Sequence, residues 1–168
     1  MTYDVRDVAN FTLDFAEQRD IPITNLALQK LLYFVHGWYF AFYEKPLIKN
    51  KFEAWKYGPV QRVIYDQFKQ FRDTAIRGER AMYIDPLTGD PVYREPSIEP
   101  EHAEMIRGVL EQYAAYTAGQ LVDESHVEDG PWEYVWQQAE DVVYPGMKIP
   151  DALIFDHFKR LSPILTVH

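Results

Sequence analysis

The run from Leu26 to Phe68, LALQKLLYFVHGWYFAFYEKPLIKNKFEAWKYGPVQRVIYDQF, decides how the rest of the chain is read. Half of the chain's aromatic residues fall between Tyr33 and Phe71. From Leu26 to Tyr43 the sequence is almost continuously apolar, over a length that fits a helix better than a strand. Gln29, Lys30, His36 and Gly37 interrupt it, which makes it too polar to span a bilayer. With Tyr33 between them, these residues recur at helical spacing and form one narrow polar stripe on an apolar cylinder. A helix apolar around most of its circumference belongs at the centre of a core. Its polar stripe then meets water or a ligand, or pairs with another helix.

Working outward, Asp4 caps a first helix to about Gln18, with Val5, Val8, Ala9, Thr12, Phe15 and Ala16 on one face. Pro22 ends that continuity, Thr24 or Asn25 opens the central helix, and Glu44-Lys45-Pro46 closes it. Phe52–Tyr57 reads as a short strand or extended segment. Gly58-Pro59 then predicts the start of a third helix, because proline at a first helical position has no N–H to leave unpaired. Residues 78–98 read as a small antiparallel hairpin around a Pro/Gly-rich turn at Asp85–Pro91. A fourth helix follows Pro96 and Pro100, with Ala103, Ile106, Leu110, Tyr113 and Ala114 inward. Thr117 caps a short fifth helix, Gly130-Pro131 opens a sixth, Pro145-Gly146 breaks the chain, and Asp151–Leu161 forms the last. Ile154, Phe155, Phe158 and Leu161 are its inward residues. The expected fold is mainly α (α+β): a single domain over 1–168 around one apolar helix, with a minor β element.

Composition narrows the chemistry. The 168 residues carry a net charge of −9 and no cysteine. That excludes disulfides, thiolate nucleophiles and cysteine metal sites, and argues against direct nucleic-acid or anionic-membrane binding. MTYDVRDVAN has neither a basic nor an apolar leader region, which points to a cytoplasmic protein. The glycines are too far apart for a phosphate loop or a dinucleotide fingerprint, and the histidines show no metal-ligand spacing. No cofactor and no metal are expected. Lys30 is the conspicuous side chain, because an unpaired buried ammonium is too costly to keep. It either pairs within the fold or marks a groove. Gly37 lowers helix propensity by about 1 kcal/mol relative to alanine, and its expected purpose is the close approach of a crossing helix or of the 52–57 segment. Trp38, Tyr39, Trp55 and Tyr57 are core residues or interface anchors.

LQKLLYFVHGWYFAFYEKPL followed by FEAWKYGPV and VIYDQF resembles the Panacea-domain family, which includes SocA-like antitoxins and phage-associated GepA-type proteins. The likeness is dense over Leu28–Tyr43 and Glu53–Val60. Ser125-His126 followed by Pro131-Trp132 resembles the family's Thr-His and Pro-Trp pairs, and Ile154–Phe158 its closing helix. His36 stands where the family commonly has Gln, and Ser125 where it has Thr. The likeness covers about residues 8 to 160, and the 78–98 hairpin looks private to this chain. What the resemblance implies is a non-enzymatic antitoxin of a prokaryotic or phage toxin–antitoxin system that binds a co-encoded toxin. Related members act as adaptors that pass a toxin to a cellular protease. The candidate partner-binding residues are Lys30, Tyr33, His36, Trp55, Tyr57 and His126. The alternative is a small-ligand binder or enzyme built on the Lys30/Tyr33/His36 stripe, the 53–58 segment and His126.

Charge is unevenly distributed. Glu44–Arg80 holds nine Lys and Arg against five acidic residues, whereas Gly108–Met147 holds eight acidic residues and no Lys or Arg. Such a bipolar surface steers a charged partner, and steering between exposed charges is screened beyond about 8 Å at physiological salt. The association rate with the partner is therefore expected to fall as salt rises. Stopped-flow mixing at low and high salt checks it, and an unchanged rate removes steering.

Overall fold

The computed structural model describes residues 2–127, 130–138 and 147–161. Its described elements are mainly helical, with small antiparallel sheets. The order is α1 (Val5–Gln18), α2 (Asn25–Tyr43), β1 (Glu53–Trp55), β2 (Gly58–Val60), α3 (Arg62–Phe68), a 3-10 turn (Lys69–Phe71), β3 (Tyr83–Ile84) and β4 (Pro91–Val92). It continues with α4 (Pro100–Tyr113), α5 (Ala118–Ser125), α6 (Pro131–Gln138), β5 (Met147–Lys148) and α7 (Asp151–Leu161). None of the described helices is long and apolar enough to cross a membrane.

α2 is the axis. Thr24 Oγ1 accepts from Ala27 N at its start, and Glu44 ends it in the left-handed conformation at φ 58°. Leu28, Leu32 and Val35 are fully buried, as are the polar residues Lys30 and His36. α1, α4, α5 and α7 pack around it. Asp4 caps α1 through Arg6 N, and Thr117 and Gln120 form a reciprocal capping box on α5. On α4 the buried residues are Ile106, Val109 and Leu110, while Ala103 lies only partly inside. On α7, Ile154 and Phe158 are buried, Phe155 packs on Phe40, and Leu161 stays exposed because the helix end leaves the core.

The third helix departs from expectation. Gly58–Val60 is a strand, and α3 begins only at Arg62. Lys56 and Tyr57 form a two-residue turn, after which β2 pairs back on β1 as Trp55↔Gly58, Ala54↔Pro59 and Glu53↔Val60. Gly58 sits at φ 111°, a conformation open to glycine and strained for other residues. Ladder alternation puts Pro59 at a position whose N–H would point away from β1, so its missing donor costs the pair nothing. β5 adds to the other side of β1 as Glu53↔Lys148 and Ala54↔Met147, giving the order β2-β1-β5. The 78–98 region does contain a hairpin, with Tyr83↔Val92 and Ile84↔Pro91. The expected break at Pro145-Gly146 lies outside the described residues.

Gly37 has the close-approach role. A Cβ built there would lie 2.2–2.5 Å from ring carbons of Phe158, so α7 crosses α2 where α2 has no side chain. Phe158 fills the space among Tyr33, Phe34 and Trp38. Gly37→Ala gains helix propensity but forces this ring aside, and overpacking of this kind costs about 1–3 kcal/mol. Urea unfolding should show that loss, and a stability equal to wild type would mean that α7 seats differently.

Candidate functional site

Six sequence-derived residues start the site, and the structure sorts them into two groups. Tyr33 and His36 lie in the interior. Tyr33 packs edge-on against Phe34, Phe52 and Phe158, and burial followed by the nearby Tyr113 raises its hydroxyl pKa. His36 Nδ1 accepts from Ile48 N at 3.2 Å, which places the ring proton on Nε2, 3.2 Å from Asp151 Oδ1. Lys51 Nζ reaches the other carboxylate oxygen at 2.6 Å. Burial opposes ionisation of Asp151, yet the hydrogen bonds from His36 and Lys51 outweigh it and hold the carboxyl below its usual range. Both residues thus tie α2 to the core and to the start of α7.

Lys30, His126, Tyr57 and Trp55 come together at the β1–β2 hairpin. Lys30 is fully buried, and its Nζ donates to Pro59 O at 2.9 Å. No carboxylate pairs with it among the described residues. Desolvation lowers its pKa to about 7. Gly58 faces the same point. A Cβ there would lie 2.7 Å from Ser125 Oγ, 2.8 Å from Lys30 Nζ and 3.1 Å from His126 Nε2. His126 stacks face to face on Trp132, with ring centroids 3.7 Å apart and an interplanar angle of 1°. Burial depresses the His126 pKa, and Lys30 adds to the effect against the Tyr57 backbone and Asp123. Its buried Nε2 has no hydrogen-bond partner among the described residues. Trp132 Nε1 donates to Trp55 O at 2.6 Å, so α6 also holds the hairpin.

Outside this node lies a cleft of about 670 Å³ between the start of α2, the hairpin and the end of α3. Trp55, Tyr57 and Tyr65 are its aromatic walls, and Lys56, Lys69 and Arg72 its basic ones. Trp55 is held by Tyr65 at 4.8 Å and by the Arg62 guanidinium at 5.1 Å. Tyr57 is 57% exposed. Tyr65 lies in the VIYDQF stretch but is not among the sequence-derived site residues, and Lys69 and Arg72 escape a motif reading because they fall on a 3-10 turn and its cap. The one sequence signal of Lys69 and Arg72 is the basic excess over 44–80. Among the described residues, no group of three or more His, Asp or Glu side chains is placed to hold a metal ion.

The core, the hairpin and the His126/Trp132 stack make a helical protein built around one buried axis, with a small sheet clamped against it. A family model described as Antitoxin SocA-like, Panacea domain, matches residues 28–133, and the chain belongs to this antitoxin family. It is 40% identical over 156 residues to Antitoxin SocA of Caulobacter vibrioides (strain NA1000 / CB15N), covering 93% of this chain and 82% of that relative. No solved structure matches it significantly. The family is one of antitoxins, not enzymes, and the matched span contains Lys30, Gly58, Ser125, His126 and Trp132.

Lys30 has a measurable signature. Its folded pKa lies below the unfolded value, so between about pH 7 and 10.5 the unfolded chain binds more protons and stability rises with pH. Wild-type stability should increase from pH 7 to 9, by on the order of a few kcal/mol. Lys30→Met should be flat over that interval. His126 titrates below the window, since its pKa is lowered from 6.5. Chemical unfolding of both proteins at each pH checks it, and parallel curves would show Lys30 to be charged and solvated.

Proposed function

We propose that this protein is the antitoxin of a prokaryotic or phage toxin–antitoxin system and that it neutralises a co-encoded toxin by direct protein binding. The observation that carries the reading is the 40% identity to Antitoxin SocA along nearly the whole chain. The geometry supports it against a ligand-binding or catalytic stripe. Lys30, Tyr33 and His36 are almost wholly closed to solvent, and Lys30 and His36 already hold main-chain groups of the protein itself. A substrate would have to displace the fold to reach them. Trp55 and Tyr57, by contrast, offer rigid aromatic surface of the kind that anchors protein interfaces. The finer form of the proposal is delivery of the bound toxin to a cellular protease, which needs a second surface left free in the complex. The cytoplasm, where a co-encoded toxin is made, is the proposed location.

Co-expression with the adjacent reading frame tests this. The neighbour's product alone should arrest growth, this protein should relieve the arrest, and the two should purify together. Arrest that persists at equal toxin level would sink the proposal. A pulse-chase of the toxin separates blocking from delivery: a half-life unchanged by the antitoxin removes the protease.

A further inference from the structure

We infer that the cleft between α2, the β1–β2 hairpin and α3 is the docking groove for the toxin, and that its occupant is an acidic segment carrying a bulky apolar residue. This rests on the antitoxin reading and adds to it the place and the chemistry of contact.

Charge complementarity selects the occupant. The chain as a whole carries −9, yet the cleft gathers Lys56, Lys69 and Arg72 against Asp73 alone. Lys56 and Arg72 make no ion pair among the described residues, and Lys69 has only an exposed contact with Asp66 at 4.0 Å. Neighbouring Arg62, outside the cleft lining, is already engaged by Glu53 through both carboxylate oxygens. Lys56 and Arg72, left without ion pairs beside a rigid aromatic wall, suit carboxylates supplied by another chain. Arg72 also sits at φ 55° and ψ −121°, a conformation strained for a residue with a side chain. The first turn of α5 borders the cleft at Ala118, and the positive end of a helix dipole adds to the same preference.

Shape supplies the apolar part. A volume of about 670 Å³ accepts side chains rather than a flat surface. Leu26, Trp55, Tyr57 and Tyr65 present its apolar walls. Trp55 is fixed by Tyr65 and by the α6 indole on its carbonyl, so little freedom is lost on binding. Tyr57 stands exposed at the rim with Lys56 Nζ 5.4 Å from its ring centroid.

The test uses the full chain and the product of the adjacent reading frame as probe. Tyr57→Ala and Arg72→Glu should each weaken its binding by about tenfold or more, as hot-spot residues do. Phe42→Ala, 69% exposed at the far end of α2, should leave it unchanged. A photo-crosslinking residue at position 57 should trap a toxin peptide of net negative charge. Reversing one carboxylate in that peptide to lysine should restore binding to Arg72→Glu. Wild-type capture with unchanged affinity in both cleft variants overturns the groove and leaves the antitoxin reading standing. A basic crosslinked peptide overturns the acidic occupant. A single-stranded oligonucleotide bound at physiological salt and lost in Tyr57→Ala assigns the cleft to nucleic acid and overturns the inference. No capture by wild type overturns the antitoxin reading and the groove together.

Discussion

The free edge of β2 is closed by side chains of α2, and the rest of the site depends on that. In the register of β1 and β2, Pro59 and Gln61 turn their main-chain groups away from β1. Lys30 Nζ takes the Pro59 carbonyl, and Gln29 Oε1 takes the Gln61 N–H at 2.8 Å. Gln29 is itself aligned by Asn25 Oδ1 at 3.0 Å, and Asn25 Nδ2 donates to Tyr65 O. About two turns further along the helix, His36 receives Ile48 N. A strand edge left bare inside a protein would strand these groups, at about 1–3 kcal/mol each. With α2 in the place of a neighbouring strand, a three-stranded sheet of very short strands becomes rigid.

The same device recurs on the other side of the molecule. Asn10 exchanges two hydrogen bonds with the main chain of Ala81, at 2.9 and 2.7 Å, and Gln67 does so with Met82, at 3.2 and 2.6 Å. Each amide carries a donor and an acceptor side by side and so imitates a strand residue. The chain entering β3 is thereby pinned between α1 and α3 without a long ladder. Buried polar residues here specify register, while stability comes from the aromatic and aliphatic cluster around α2.

How much of this was legible follows from the range of each signal. The helices were readable because caps and periodicity are local: Asp4, Thr24, Thr117 and Pro131 mark starts that the structure keeps. Gly37 was readable as a close approach, although only packing could show that Phe158 fills the gap. Gly58-Pro59 misled because a Gly-Pro pair suits both a helix start and a hairpin edge. The choice turned on a pairing with residues 53–55 that local propensity does not encode. β5 was invisible for the same reason: two residues carry no period. Of the six candidate site residues, Lys30 and His126 lie beneath the hairpin at Gly58, Trp55 and Tyr57 are carried on it, and Tyr33 and His36 face the core. A one-dimensional stripe cannot reveal which turn of a helix a neighbour covers.

The two sides of the β1–β2 hairpin are therefore under different constraints. Its inner side, Pro59 and Gly58 against Lys30, Ser125 and His126, tolerates little change, because a Cβ at Gly58 would lie 2.7–3.1 Å from Ser125 Oγ, Lys30 Nζ and His126 Nε2. Its outer side, Lys56 and Tyr57, makes few contacts that the fold requires. Substitutions on the outer side should leave stability within about 0.5 kcal/mol, as at exposed positions generally. Fold alone does not fix the partner. A domain that holds a strand edge from within leaves the adjoining turn free to vary on the same buried frame.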